Sequence, residues 1–291
     1  MTDHYQIRIL QPGEINIAVD WAAAEGWNPG IYDAECFQSA DPQGFLGGFI
    51  GNELIATISA VKYGQNFGFI GFYIVKAEYR GRGYGLKLWN AALASLGNRL
   101  VGLDGVFAQQ ENYRKSGFSL AYTNVRYQGI SQKYYKTDNA IVNLSEIPFA
   151  KLVEYDRQHF SEQRTAFLKS WINQPGTIAL AITDNDELAG YGAKGYGVKG
   201  YGVIRPCREG YKIGPLFADN ATLAERLFVQ LQSAAAGEPV FLDVPSVNTD
   251  GIALAQAHNM TPVFQTARMY KNGMLHLPVA NIFGVTSFEL G

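Results

Sequence analysis

Cysteine and histidine are both scarce in this chain, and each shortage closes off a class of chemistry. Cys36 and Cys207 are the only cysteines in 291 residues. Two thiols at no metal-ligand spacing make neither a disulfide scaffold nor a zinc knuckle, so they are read as reduced and the protein is expected in the cytoplasm. His4, His159, His258 and His276 form no metal spacing and no triad, and no metal is expected. Net charge is nearly absent too, at −2, which speaks against a nucleic-acid surface of clustered Lys and Arg. No apolar run reaches the roughly eighteen residues that a membrane helix needs. The opening MTDHYQIRILQPGE lacks the basic and apolar segments of a secretory leader.

What is present is an ordinary globular balance, 47% hydrophobic and 17% charged. Pro12 to Glu25 has helical spacing, with Ile15, Val19 and Ala22 on one side. Phe45 to Ile50 and Leu54 to Val61 read as strands around the hairpin signal Gly51-Asn52, and Phe67 to Val75 as a buried strand. In LKLWNAALASLG, the residues Leu86, Trp89, Leu93 and Leu96 fall on one helical face, and Gly97 is placed to end the helix. A strand (Leu100 to Phe107), a short helix (Gln109 to Ser116) and a last strand (Leu120 to Tyr127) complete the half.

The second half repeats this order. A helical stretch from Pro148 to Trp171 precedes strands at Thr177 to Thr183 and from Leu188 onward, around the turn Asp184-Asn185-Asp186. A strand (Tyr211 to Phe217), a helix (Leu223 to Ala234) and the segments 241–244, 251–257 and 263–269 follow. GFSLAYTNVRY (Gly117 to Tyr127) aligns with NMTPVFQTARM (Asn259 to Met269), pairing Arg126 with Arg268, and Leu103-Asp104 aligns with Leu242-Asp243. The chain is therefore read as two copies of one fold, residues 1–130 and 139–291, joined through the polar stretch SQKYYKTD.

Two glycine clusters compete as phosphate loops. Such a loop must follow a strand and open a helix, whose N-terminal N–H groups bind the anion. Arg80-Gly81-Arg82-Gly83-Tyr84-Gly85 meets both conditions, between FGFIGFYIV and LKLWNAALASL. GYGAKGYGVKGYGV (190–203) runs instead into VIRPCREG, where Pro206 precludes a helix. It is read as a tandem duplication that enlarges a hairpin into an irregular, tyrosine-rich protrusion.

The strand–RGRGYG–helix passage resembles the pyrophosphate-binding segment of the GNAT acetyltransferase superfamily, with Arg80, Gly83 and Gly85 at its motif positions. ENYRKSGF likewise matches the family's Tyr-x-x-x-Gly-Phe segment through Tyr113, Gly117 and Phe118. The resemblance covers the whole chain as a tandem pair. It implies an α/β (α+β) fold class: two GNAT-like domains, each a mixed, mainly antiparallel twisted sheet flanked by helices. It implies acetyl-CoA as co-substrate, held by Ile74, Val75, Arg80, Gly81, Arg82, Gly83, Tyr84 and Gly85. In the second half the family's tyrosine position holds Ala255, and LFADNATLAE has no glycine loop. Asp219 and a Thr222–Glu225 capping box are expected at that helix start. The second domain is thus expected to be a degenerate copy.

The implied reaction is direct N-acetylation. An alkylamine, with a pKa of about 10.4, must lose a proton before it attacks a thioester. The oxyanion donor implied by the family is a strand N–H near Val75, and Tyr113 is the implied acid for the departing thiolate. The base stays open among Glu35, Asp33, Glu25, Asp104 and a water chain, because FGFIGFYIV has no carboxylate. Trp27, Tyr32 and Phe37 are candidates for an apolar acceptor wall, with Asp33, Glu35 or Asp104 for a cationic amine. Cys36 has no histidine placed beside it, which favours direct transfer over a covalent acyl intermediate. The expected acceptor is a small-molecule primary amine. A protein lysine or N-terminal amine and a non-catalytic acyl-CoA sensor are the alternatives, and homodimerisation stays open.

Overall fold

The computed structural model describes residues 4–134, 138–184 and 197–291. The first half runs β1 (Tyr5–Ile9), α1 (Pro12–Ala24), α2 (Asp33–Ala40), β2 (Phe45–Ile50), β3 (Glu53–Tyr63) and β4 (Phe67–Val75). It continues through α3 (Tyr84–Leu96), β5 (Leu100–Val106), α4 (Gln110–Lys115) and β6 (Ser119–Ile130). The second half runs β7 (Ile141–Asn143), α5 (Phe149–His159), α6 (Thr165–Trp171), β8 (Ile178–Asp184), β9 (Gly197–Pro206) and β10 (Tyr211–Ala218). Then come α7 (Ala221–Ser233), β11 (Pro239–Pro245), α8 (Thr249–Ala257), β12 (Thr261–Lys271) and β13 (Ile282–Gly284). No helix among the described residues is long and apolar enough to cross a membrane.

The repeated order is present, but the halves are not separate. One compact unit comprises residues 1–121, 267–275 and 288–291, and the other comprises 122–266 and 276–287. The division therefore departs from contiguous copies at 1–130 and 139–291. Gly129, just ahead of the expected linker, lies in β6, opposite Val240 of β11. Each unit draws its last strand from the other half of the sequence. In the first unit the strand order is β1-β2-β3-β4-β5, closed by the C-terminal part of β12. In the second it is β7-β8-β9-β10-β11, closed by β6 from Tyr122 on.

Buried ion pairs accompany the exchange. Arg268 on β12 donates from Nε and Nη2 to the two carboxylate oxygens of Asp104 on β5, at 2.9 and 2.6 Å. Arg126 on β6 does the same to Asp243 on β11, at 2.6 and 2.7 Å. Burial alone would raise the Asp243 pKa, but Arg126, with Lys212 and Arg205, holds it below the usual carboxylate value. The aligned residues thus pair crosswise, Asp104 with Arg268 and Asp243 with Arg126.

In the first unit, α3 packs on the sheet through Leu88, Trp89, Ala92 and Leu96, against Ala56, Ile58, Ala60 and Ile70. Leu86, expected in that stripe, is instead 62% exposed. Gly97 ends the helix with φ 62°, as its position predicts. The opposite sheet face carries the N-terminal arm, where the rings of Phe37 and Phe72 lie 5.5 Å apart. In the second unit the stretch expected as one helix from Pro148 to Trp171 is two, α5 and α6, separated around Arg164. Arg164 binds Asp156 through Nε and Nη2 at 2.9 and 2.7 Å.

Removing one partner of a buried pair strands the other charge. Asp104→Ala should therefore lower the unfolding free energy by about 3 to 5 kcal/mol, measured by urea denaturation. Charge exchange tests the crosswise pairing. Asp104→Arg with Arg268→Asp should recover stability relative to either single change, whereas Asp104→Arg with Arg126→Asp should not. The opposite pattern would contradict the exchanged strands.

Candidate active site

The site begins with a defect in β4. Thr57 opposes Ile74 and Ser59 opposes Gly71 across the β3–β4 ladder. Phe72 and Tyr73 therefore share the single partner position of Ile58, a β-bulge. Phe72 takes φ 49°, unusual for a non-glycine residue, and its ring is held against Phe37 and Phe45 at 5.5 and 6.0 Å. A bulge bends its strand and re-aims the residues that follow. Ile70 faces α3; the extra residue brings Tyr73 and Val75 onto that same face and turns Ile74 to the other.

β4 then parts from β5. The two run parallel from Phe67↔Leu100 to Ile70↔Leu103 and share no register beyond, although β4 continues to Val75 and β5 to Val106. The N–H of Lys76 bonds the carbonyl of Ile55 on β3, at 2.9 Å. N–H groups alternate in direction along an antiparallel strand, so that of Val75 points away from β3, into the opening.

The glycine loop stands at the head of this opening. Gly81 and Gly83 have φ 75° and 82°, and a Cβ on either would meet nothing within 4 Å. Gly83 is the N-cap of α3, whose first N–H groups have no intrahelical acceptor. Left-handed backbone and open space are the conditions in which a phosphate can approach the main chain. Gly85 differs, because its Cβ would lie 2.7 Å from the Tyr73 hydroxyl and 2.9 Å from Val75 Cγ2. Arg80 donates from Nε to the Val75 carbonyl at 2.8 Å and from Nη2 to Glu25 at 2.6 Å. The Arg82 guanidinium lies 5.5 Å from the Tyr79 ring and 5.6 Å from that of Tyr84.

Tyr113, on α4, closes the β5 side. It is buried, its ring lies against Gly105 on β5, and its centroid is 5.5 Å from that of Trp89. Burial, with a contribution from Tyr73, pushes its pKa up to about 12. The phenol is thus neutral and able to donate at physiological pH. Trp89 also contacts Tyr73, at 5.3 Å, so one indole backs tyrosines from both sides of the opening. Sequence reasoning missed Tyr73 and Trp89 as site residues. Tyr73 looked like one more aromatic in a buried strand, and only the bulge turns it toward α3.

The residues expected to form an acceptor wall differ in exposure. Trp27 is half-buried, Tyr32 is 40% exposed and Glu35 is exposed on α2. Phe37 is a core residue. Asp33 is fully buried and accepts the Gly30 N–H at 2.8 Å, so it fastens the turn before α2 instead of facing an acceptor. Asp104 is corrected as well: its side chain is 0% exposed and chelates Arg268. Glu25 is engaged by Arg80. The structure thus brings Val75, the glycine loop and Tyr113 together, and leaves Asp33 and Asp104 in structural roles.

The corresponding place in the second unit is filled. β10 and β11 pair in parallel from Tyr211↔Val240 to Ile213↔Leu242. Past that point β13 pairs with β10, Leu216 opposite Gly284 and Phe217 opposite Ile282. The next residue, Val285, donates its N–H to the Asp243 carbonyl at 2.8 Å. Asn220 caps α7 by accepting the Leu223 N–H at 3.1 Å, which replaces the expected Thr222–Glu225 box. Glu225 instead pairs with His258, at 2.8 Å, and Asp219 accepts the Tyr155 hydroxyl at 2.9 Å. Of the glycine–tyrosine repeat, residues 190–196 lie outside the described residues, and 197–203 lie in β9. There Gly200 and Gly202 admit Leu227 and Leu231 of α7, while the Tyr201 hydroxyl donates to Asp156. These glycines serve packing.

Comparison with known proteins finds acetyltransferase matches in both halves of the chain. The profile of the acetyltransferase (GNAT) family matches residues 14–118, and that of an acetyltransferase (GNAT) domain matches residues 152–284. The chain is 32% identical to a holothin acyltransferase of Pseudoalteromonas sp. (strain SANK 73390), over 96% of this chain and 92% of that one. A protein from Pyrococcus horikoshii designated an acetyltransferase shares the fold at a TM-score of 0.82 and 22% identity, covering 100% of this chain and 97% of its own. A tandem GNAT protein from the clavulanic acid biosynthesis pathway does so at 0.61 and 11%, covering 94% of this chain and 100% of its own.

Two outcomes are expected. Gly202→Val should destabilise the second unit by about 1 to 3 kcal/mol through overpacking, since its Cβ would stand 2.6 Å from Leu231. Denaturant unfolding measures this. Tyr113 ionises near pH 10 when unfolded and near 12 when folded. The unfolded chain therefore releases that proton first, and stability falls with rising pH across this window but not below it. Tyr113→Phe should flatten the decline by about 1.4 kcal/mol per pH unit, read from unfolding free energies measured across the window.

Proposed function

The chain belongs to the GNAT superfamily as a tandem-domain acyltransferase, and we propose that its first unit transfers an acetyl group from acetyl-CoA to a primary amine of a small molecule. One observation supports this reading: β4 and β5 part between an open glycine loop on one side and a buried tyrosine on the other. The residues fit the co-substrate, because Gly81 and Gly83 leave their main chain accessible ahead of the α3 N-terminus. The thioester supplies an activated acyl carbon.

In this reading the loop and the first turn of α3 hold the diphosphate, where the helix dipole favours negative charge. The Val75 N–H stabilises charge that develops on the acyl oxygen. The amine nitrogen bonds the acyl carbon, the carbon–sulfur bond breaks as the Tyr113 phenol gives its proton to the sulfur, and the proton lost from nitrogen returns, by way of water, to the phenolate. Sulfur leaves better as the neutral thiol than as the thiolate, whose parent pKa of about 8.5 lies below that of the phenol. The donor must then act in concert with bond breaking, within a low-dielectric site. A small-molecule acceptor is supported by the name of the holothin acyltransferase, which aligns along nearly the whole chain. The filled cleft of the second unit supports a single co-substrate site per chain.

Calorimetric titration should find one acetyl-CoA site, and Gly83→Val should weaken it strongly by forcing a β-branched residue into φ 82°. Tyr113→Phe should lower kcat by roughly 100-fold with the Kd for acetyl-CoA nearly unchanged. A comparable fall in affinity would make Tyr113 a binding residue. Thiol release from acetyl-CoA, assayed with polyamines, arylalkylamines, amino acids, aminoglycosides and lysine peptides, identifies the acceptor class. Turnover confined to peptides would overturn the small-molecule reading, and binding without turnover on any acceptor would favour a sensor.

A further inference from the structure

Tyr73 occupies a position that the mechanism above leaves unused. The β4 bulge turns it onto the α3 face, beside Trp89 at 5.3 Å. Its hydroxyl lies against Gly85, where an added Cβ would approach it to 2.7 Å. Gly85 therefore lacks a side chain because Tyr73 fills that space, whereas Gly81 and Gly83 are open. Of the phenols around the loop, the Tyr5 hydroxyl donates to the Tyr84 carbonyl at 3.1 Å and that of Tyr79 to Glu53 at 2.9 Å. The Tyr73 hydroxyl makes no hydrogen bond among the described residues, and the side chain is half-buried, within reach of a ligand.

We infer that Tyr73 is a specificity-determining residue for the acyl donor, its hydroxyl donating a hydrogen bond to the diphosphate held at the α3 N-terminus. This rests on the reading of the glycine loop as a diphosphate site. The chemistry suits the place. A phenol carries one O–H donor, and a hydrogen bond to an anionic oxygen is stronger than one between neutral groups. Burial raises the Tyr73 pKa, so the proton stays in place at neutral pH. The hydroxyl supplements the helix N–H groups from the strand side, and Trp89 fixes the ring that carries it. Tyr73 and Tyr113 then divide the work, the first on the diphosphate and the second on the leaving sulfur.

The test uses two donors on the full chain. Acetyl-CoA carries the diphosphate; S-acetylpantetheine keeps the thioester and lacks it. Tyr73→Phe should raise the Kd for acetyl-CoA roughly ten-fold or more, leave kcat near that of the parent, and leave kcat/KM for S-acetylpantetheine unchanged. Gly85→Ala should weaken acetyl-CoA binding in the parent and weaken it less in the Tyr73→Phe background, where the hydroxyl that the new methyl meets is gone. Equal losses with both donors would assign Tyr73 to packing and overturn the inference. An unchanged Kd for acetyl-CoA in Tyr73→Phe, while Gly83→Val abolishes binding, would overturn it and leave the loop reading intact. If neither substitution affects binding, the loop reading itself falls.

Discussion

A buried carboxylate is one of the costliest things a folded chain can contain unless a counter-charge meets it, and this protein buries one at the same place in each unit. Asp104 and Asp243 sit on aligned strands, and each is satisfied by an arginine from the other half of the sequence. The exchange makes β12 the neighbour of β5, and β6 the neighbour of β11. Neither unit can complete its sheet without residues from both halves. With its far edge covered, β5 has one flank left to open, the flank toward β4.

That flank opens because of a single inserted residue. The bulge at Phe72 ends the parallel pairing after Ile70 and reverses which residues face α3, so Tyr73 and Val75 point toward the glycine loop. Without it, strict alternation would place Ile74 there instead. The strained backbone of Phe72 is held by Phe37 and Phe45, so the apolar arm residues serve the site from behind. In the second unit the matching strand β10 also shifts register, against antiparallel β9, between Ile213 and Leu216. There the space is taken by β13 and the helix start by Asn220, so one architecture is open in the first unit and sealed in the second.

Much of this was legible in the sequence. The strand–glycine–helix order marked the loop, because only a helix N-terminus offers free N–H groups in that arrangement. Tyr113 stood at a motif position, and the repeated element order gave two copies of one fold. The rejection of the 190–203 repeat rested on the absence of a following helix, and β9 agrees wherever it is described. The acceptor-side acids were a different matter. Asp33, Asp104 and Glu35 look alike in sequence, yet the first caps a turn, the second chelates an arginine and the third is exposed.

Local signals therefore determined what each segment is: which stretches alternate, where helices begin and end, and which loop can receive an anion. Tertiary structure decided which segments meet. A sequence repeat cannot show whether aligned strands stay in their own copy or trade places, because either arrangement buries the same apolar faces and gives each aspartate an equivalent arginine. It cannot show a bulge either, since register is a property of two strands and each strand alone keeps its alternation. The roles of Tyr73, Gly85 and Asp104 all depend on such pairings, and so they became readable only in three dimensions.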